Sequence, residues 1–256
     1  MNQVERRRYL IDALLKEDKR YQHLQIPSEE REQRILLRSL MNVRVATPIT
    51  EEFAAVQNEY LQNVNDEKGF VTLLDMKELQ SDIFLWQGDI TRLKVGAIVN
   101  AANSGMTGCY QPCHNCIDNC IHTYAGIQLR NYCTSMMKKQ GHKEPTGQAK
   151  ITPGFNLPCD YVIHTVGPIV QGKLTSRHED LLRSCYESCL KIAEENNVES
   201  IAFCCISTGV FMFPRRRAAE IAVQTVMDHK KSTGSPIKVV FNVFKDEDLE
   251  IYRELL

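Results

Sequence analysis

Cys109, Cys113, Cys116 and Cys120 fall within twelve residues, and His114 lies among them. Thiolate sulfur and imidazole nitrogen at this spacing suit zinc, which takes a tetrahedron of such ligands. Two sets are available: Cys109, His114 and Cys116, or a set that includes Cys113. Cys113 and His114 are chain neighbours, and neighbouring side chains in an extended stretch diverge, which favours the first set. Three protein ligands leave a fourth position open, the pattern of a catalytic metal. The competing reading is a closed structural site that uses all the nearby cysteines. Cys120 follows Cys116 by one helical turn and reads as packing. Cys133, Cys159, Cys185, Cys189, Cys204 and Cys205 are scattered through apolar segments and read as small core residues. His122 and His164 read as packing or structural histidines.

Three further groups of small and polar residues follow apolar runs. In Gly88-Asp89-Ile90-Thr91 a carboxylate beside backbone amides can accept from an exocyclic amine such as that of adenine, or can simply cap a turn. In Val99-Asn100-Ala101-Ala102-Asn103 two amides with small neighbours can hold ribose hydroxyls, or can form an ordinary turn. The loop Ser207-Thr208-Gly209-Val210-Phe211-Met212-Phe213-Pro214 leaves an apolar run and enters a helical one. Backbone amides at a helix N-terminus, with a glycine allowing close approach, suit a pyrophosphate. Phe211 or Phe213 can cover a ribose or a base. The loop lacks the Gly-Lys-Ser/Thr ending of a P-loop. Asp118 opens the helix after the cysteine cluster, where it can cap the helix, point into a cleft, or do both.

The elements that must position these groups divide the chain in two. Residues 1–75 read as a helical extension. Leu10, Ile11, Leu14 and Leu15 form one apolar stripe; Ser28 caps a second helix, with Ile35, Leu36 and Leu40 on one face; Thr50 caps a third, with Phe53, Val56 and Tyr60 on one side. Residues 76–256 alternate strands and helices. Strands are expected at Ile83–Trp86, Ala97–Asn100, Ala149–Thr152, Tyr161–Val166, Ser200–Ile206 and Lys238–Phe244. A capping box at Ser176/Glu179 starts one helix, Pro214 starts another, and a last helix runs from about Asp246. This alternation predicts an α/β sandwich on a mixed, largely parallel sheet, with ligands beyond the carboxyl ends of the strands.

The 31 basic and 32 acidic residues balance to a net charge of −1, which argues against a nucleic-acid surface. No apolar run approaches the roughly 20 residues needed to span a bilayer, and the N-terminus lacks a signal-peptide core. A cytoplasmic protein without nucleic-acid or membrane partners is expected.

Five segments in order resemble the macrodomain family, the ADP-ribose-binding module: GDIT (88–91), IVNAAN (98–103), IHTYAG (121–126), PTGQAKITPGFNLPCDYVIHTVGP (145–168) and ISTGVF (206–211). The resemblance covers about Asp82 to the C-terminus. It implies a three-layer α/β/α macrodomain with a mixed central sheet, carrying an N-terminal helical extension. Where hydrolytic members have a glycine-rich stretch, this chain reads GMTGCYQPCHNCIDNC (105–120), which resembles the zinc-containing subfamily. The resemblance supports Cys109, His114 and Cys116 as ligands of Zn2+. It implies an ADP-ribose cleft lined by Asp89, Ile90, Asn103, Cys116, Ile117, Asp118, Asn119 and the loop Ser207, Thr208, Gly209, Val210 and Phe211. Asp118 would position the attacking water, Asn103 would orient the ribose hydroxyls, and Asn119 would hydrogen-bond the ribose or the water. The chain departs from the pattern at Met212, where many macrodomains have glycine, and at Val210, where an acidic residue is common in zinc members.

The implied activity is zinc-dependent removal of mono-ADP-ribose from protein side chains. The implied substrate is a lipoyl-carrier-like protein modified by a sirtuin-type transferase. The alternatives are an ADP-ribose reader with a structural zinc and an interaction module built on the zinc loop.

Overall fold

The computed structural model describes residues 1–256. The first three helices are α1 (Gln3–Glu17), α2 (Glu30–Val43) and α3 (Glu51–Lys68). Each is amphipathic, and together they close a small core of their own around Leu10, Leu14, Leu37, Leu40, Phe53 and Tyr60. Ile127, from the α/β part, completes that core.

Thr50 caps α3 as expected, its hydroxyl accepting the Phe53 N–H. The second helix differs from expectation. It starts one residue later, with Glu29 rather than Ser28 at the cap position, and Ile35 is half exposed. Its buried stripe is Leu37, Leu40 and Met41, rotated because a polar face of the same helix is also in use.

Seven strands form one sheet: β1 (Glu78–Gln80), β2 (Ile83–Gln87), β3 (Ala97–Ala101), β4 (Ala149–Pro153), β5 (Tyr161–Thr165), β6 (Ser200–Phe203) and β7 (Lys238–Val243). Their order is β1-β2-β7-β6-β3-β5-β4. The five inner strands are parallel; β1 and β4 run antiparallel at the two edges. The strand β1 carries no apolar alternation and was not expected from the sequence. Strand β6 stops at Phe203, short of the expected Ile206, because the chain leaves the sheet there to build a loop.

The remaining helices are α4 (Ile117–Ala125), α5 (Ile127–Gln140), α6 (Ser176–Glu195), α7 (Arg215–Thr233) and α8 (Asp246–Leu255). One layer, α4 and α5, packs on β3 and β4; the other, α6 to α8, packs on β4, β5, β7 and β2. The main core between them includes Ile98, Ile121, Leu129, Cys133, Ile163, Cys185, Cys189 and Phe241. The capping box of α6 lies one residue upstream of the expected pair, at Thr175 and His178, and Pro214 caps α7 rather than starting it.

Parallel strands point their carboxyl ends the same way. Thus Asp89 after β2, Asn103 after β3 and Ser207 after β6 all emerge along one rim of the sheet. No helix is long and apolar enough to cross a membrane.

Candidate active site and metal centre

Asp118 sits in the first turn of α4 and is buried. Its carboxylate accepts from two amides: Asn100 Nδ2 at 2.8 Å and Asn103 Nδ2 at 3.3 Å. Burial pushes the carboxyl up to about 6, against those two bonds and the positive charge of Arg130. Asn103 is exposed; its Oδ1 accepts from Gly105 N–H, and its Nδ2 also reaches Gly108 O at 3.1 Å. Asn100, by contrast, is fully buried, so it does not face a ribose. It supports Asp118 from below.

The Asn119 side chain also turns away from the open cleft. It is fully buried; its Oδ1 accepts from Arg38 at 2.9 Å, and its Nδ2 donates to Gln111 O at 2.9 Å. These partners have it holding the cysteine loop.

The cysteine loop brings Cys109, His114 and Cys116 together. Their ligand atoms all lie within 4.8 Å of one another, with Cys109 Sγ 3.7 Å from His114 Nδ1. Zinc bonds of about 2.0–2.3 Å require ligand atoms about this far apart, so the donor set fits a zinc ion in both chemistry and spacing. Cys113 is not part of the set. Its φ of +51° turns its sulfur to α2, where Sγ lies 3.2 Å from Ser39 Oγ. Cys116 caps α4, its sulfur accepting the Asn119 N–H at 3.4 Å, which places the cluster two residues from Asp118. Burial pushes the Cys116 thiol up to about 12, with Cys109 and Asp118 adding to the shift.

Asp89 both caps and pairs. Its Oδ1 accepts from Thr91 N–H at 3.0 Å and Thr91 Oγ1 at 2.6 Å; Lys68, at the end of α3, lies 2.8 Å from Oδ2. Burial alone would raise the Asp89 carboxyl, but the bonds from Lys68 and Thr91 outweigh it and hold it below the ordinary range. Burial likewise lowers the Lys68 ammonium, and Asp89 offsets this only in part. Lys68 Nζ also lies 3.5 Å above the Tyr124 ring. Ile90 is buried beside it.

In the loop after β6, Ser207 and Met212 take φ of +65° and +59°. Thr208 N–H, Met212 N–H and Phe213 N–H bond within the loop, to Cys205 O, Gly209 O and Ser207 O. The N–H groups of Gly209, Val210 and Phe211 have no protein acceptor. Three successive free amides before a helix are donors that an anion could accept from. Phe213 is buried in the core, so of the two aromatics only Phe211 is left to cover a ligand.

A family model described as Macro domain matches residues 99–222. A protein-ADP-ribose hydrolase of Treponema medium is 58% identical over 260 aligned residues, covering 100% of both chains. The chain belongs to the macrodomain family. A protein-ADP-ribose hydrolase of Staphylococcus aureus (strain MRSA252) is 50% identical over 248 residues, 96% of this chain and 93% of its own. Among solved structures, the Oceanobacillus iheyensis macrodomain with ADP superposes with a TM-score of 0.62 at 34% identity, covering 70% of this chain and 92% of that one. The α/β fold and mixed sheet are those of a macrodomain.

This macrodomain also holds a second Cys/His cluster under Asp118: His122, Cys133 and His164, all buried. His164 is satisfied. Asn100 Nδ2 can only donate, so His164 Nδ1 accepts it at 3.1 Å, and Nε2 carries the proton toward Thr152 Oγ1 at 3.0 Å. Burial pulls His164 down to about 3. His122 was expected to be a satisfied packing residue, and it is packed but not satisfied. Neither ring nitrogen has a hydrogen-bond partner, and Nε2 lies 3.6 Å from Asp118 Oδ1. Burial, then the charges of His164 and Arg130, hold it well below its ordinary range.

Sequence reasoning missed Arg38, Lys68, Tyr124 and Arg130 as residues at the site. All four are cations or aromatics on helices whose apolar periodicity gave no hint of a second, polar duty. Only the position of Lys68 beside the helix-ending Gly69 hinted at proximity to a turn.

Proposed function

We propose that the protein is a zinc-dependent hydrolase that removes mono-ADP-ribose from modified protein side chains. Hydrolysis of ADP-ribosylated protein is the activity named for the Treponema medium and Staphylococcus aureus relatives, which align over nearly their whole length. One observation carries the finer reading. The Asp118 carboxylate, held by Asn100 and Asn103, stands two residues from a Cys/His cluster of zinc-like spacing.

Asp89 accepts the exocyclic amine of adenine while remaining paired to Lys68, and Ile90 lies beside the base. The free amides of Gly209, Val210 and Phe211, with Ser207 and Thr208 shaping the loop, hold the diphosphate. Asn103 orients the distal ribose hydroxyls, and Ile117 forms the wall below that sugar. Asp118 positions a water against the anomeric carbon and takes its proton; a raised carboxyl is suited to that work. The bond that breaks joins this carbon to a protein side chain, through a transition state of oxocarbenium character. Cys109, His114 and Cys116 would hold the zinc, which would supply Lewis-acid polarisation at the distal ribose. The subfamily resemblance points to a lipoyl-carrier-like protein, modified by a sirtuin-type transferase, as the substrate.

The test uses mono-ADP-ribosylated protein with the wild type, a chelator-treated sample and Asp118→Ala. Release of ADP-ribose should fall at least about 100-fold in the variant, within the usual range for a general base, while free ADP-ribose still binds. Loss of release on chelation, restored by zinc, supports the metal's part. Binding of ADP-ribose without any release by the wild type would make the protein a reader.

A further inference from the structure

The second helix has two working faces. Leu37, Leu40 and Met41 enter the small core of the extension. Arg38, Ser39 and Asn42, on another face, meet the cysteine loop. Arg38 Nη2 donates to His114 O at 2.8 Å and to Asn119 Oδ1 at 2.9 Å, and lies 3.7 Å from Cys120 Sγ. Asn42 Oδ1 accepts the Cys113 N–H at 2.9 Å, and its Nδ2 donates to Thr123 Oγ1 at 3.0 Å.

These bonds explain a costly local conformation. Cys113 takes a positive φ that L side chains rarely adopt, and such residues persist only where their surroundings hold them. With its N–H fixed by Asn42 and its sulfur beside Ser39, Cys113 faces α2, and the next residue, His114, faces Cys109 and Cys116. The chain-neighbour conflict seen in the sequence is thus settled by α2. From the other side, the Arg130 guanidinium joins the same two pieces. It donates to Thr107 O at 2.8 Å and also to Met41 O and Asn42 O at the end of α2, at 3.0 and 2.8 Å.

The loop has no helix or strand between Ala101 and Ile117. Ordering so long a segment around an ion would cost conformational entropy at the moment of binding. Contacts from α2 set that order in advance.

We propose that Arg38 is a positioning residue for the metal centre: with Asn42 and Ser39 it makes the helical extension a latch that preorganises Cys109, His114 and Cys116. This rests on the reading of that cluster as a zinc site. It gives the extension a task, which is to retain the ion.

The full chain is prepared as wild type, Arg38→Ala and Arg38→Lys, each loaded with zinc. Zinc per chain is measured by elemental analysis, and zinc transfer to a chromogenic chelator is followed in time. Binding of ADP, which lacks the distal ribose, is measured by calorimetry, and folding by thermal unfolding. Transfer from Arg38→Ala should be about tenfold faster or more, as for other residues that support metal ligands, with ADP affinity unchanged. Arg38→Lys should fall between the two, since an ammonium can reach only some of the same acceptors. Transfer at the wild-type rate overturns the proposal. So does a loss of ADP affinity as large as the gain in transfer rate, which would mark a general structural role. Should Arg38→Ala fail to fold, Arg38→Lys decides by the same comparison with wild type. A wild type that takes up no zinc defeats the metal reading itself, and the latch with it. Zinc bound normally but released no faster from the variants defeats the latch alone.

Discussion

Two clusters in this molecule gather cysteine and histidine to the same closeness, yet their surroundings give them opposite characters. Cys109, His114 and Cys116 are part-exposed, sit on a loop, and have few partners of their own. His122, Cys133 and His164 are buried between α4, α5 and the sheet, and His164 has both ring nitrogens engaged by Asn100 and Thr152. Residue type and distance alone would call both metal sites. Access and the engagement of His164 separate them: the first is open to an ion from solvent, and the second is a neutral core closed to it. Asp118 lies between the two, two residues past Cys116 and 3.6 Å from His122.

The sharpest way to break this contrast is to remove one sulfur from each. Cys116→Ser should drop zinc from about one per chain to near zero and reduce hydrolysis at least about 100-fold, whereas Cys133→Ala should leave the zinc content unchanged. Elemental analysis beside a release assay reads both, and zinc lost from Cys133→Ala would erase the distinction.

The residue joining Asp118 to the buried cluster, Asn100, comes next. Asn100→Ala removes a buried donor shared by Asp118 and His164. Hydrolysis should fall about 10- to 100-fold, as when a group that supports a reacting residue is lost, with ADP binding retained. Unaltered turnover would show that Asn103 alone holds the carboxylate.

A smaller effect follows from acid. Burial holds His164 near 3, and His122 also lies well below its ordinary range, while in the unfolded chain both titrate near 6.5. Below that pH the unfolded chain carries protons at both histidines that the folded chain lacks, whereas the raised Asp118 carboxyl binds its proton in the folded chain from about 6 downward and offsets part of the difference. The His164 contribution is therefore complete above about 6.5 and falls as pH decreases toward 4, by about 1.4 kcal/mol per pH unit, and His122 acts in the same direction. Denaturant midpoints between pH 7.5 and 4.5 measure the slope, and His164→Gln should flatten it. An unchanged slope in that variant would mean His164 is not held neutral.

Smallest of all, Cys133→Ala should cost about 1–2 kcal/mol in thermal unfolding, the range for trimming a buried side chain. No change would mean the pocket around it is loosely packed.

Much of this could be read from residue order. The apolar stripe of α1, the Thr50 cap and five of the inner strand positions follow from local rules that burial enforces. Edge strand β1 was hidden because three mostly exposed residues need no apolar alternation. At the site, residues with local signals were legible: Asp89 as a cap, Asp118 at a helix start, Gly209 in a loop. For Asn100 and Asn119 the orientation was not legible, because an amide after a strand or beside a cysteine looks the same whether it faces a sugar or the core. Their orientation depends on Asp118, His164 and Arg38, which are distant in sequence. Met212 shows the reverse. Its mismatch with the family glycine was plain in the sequence, and it adopts the positive φ that glycine takes without cost.

The Lys68–Asp89 pair extends the reach of the N-terminal helices to the far end of the cleft. In the proposed binding mode, an adenine amine at Asp89 would meet a carboxylate already tied to an ammonium through Oδ2 and engaged by Thr91 through Oδ1. Recognition of the base would then involve α3 as well as the α/β part. A shortened protein without α3 would present an uncompensated carboxylate there, with the Oδ2 acceptor that Lys68 now engages left free.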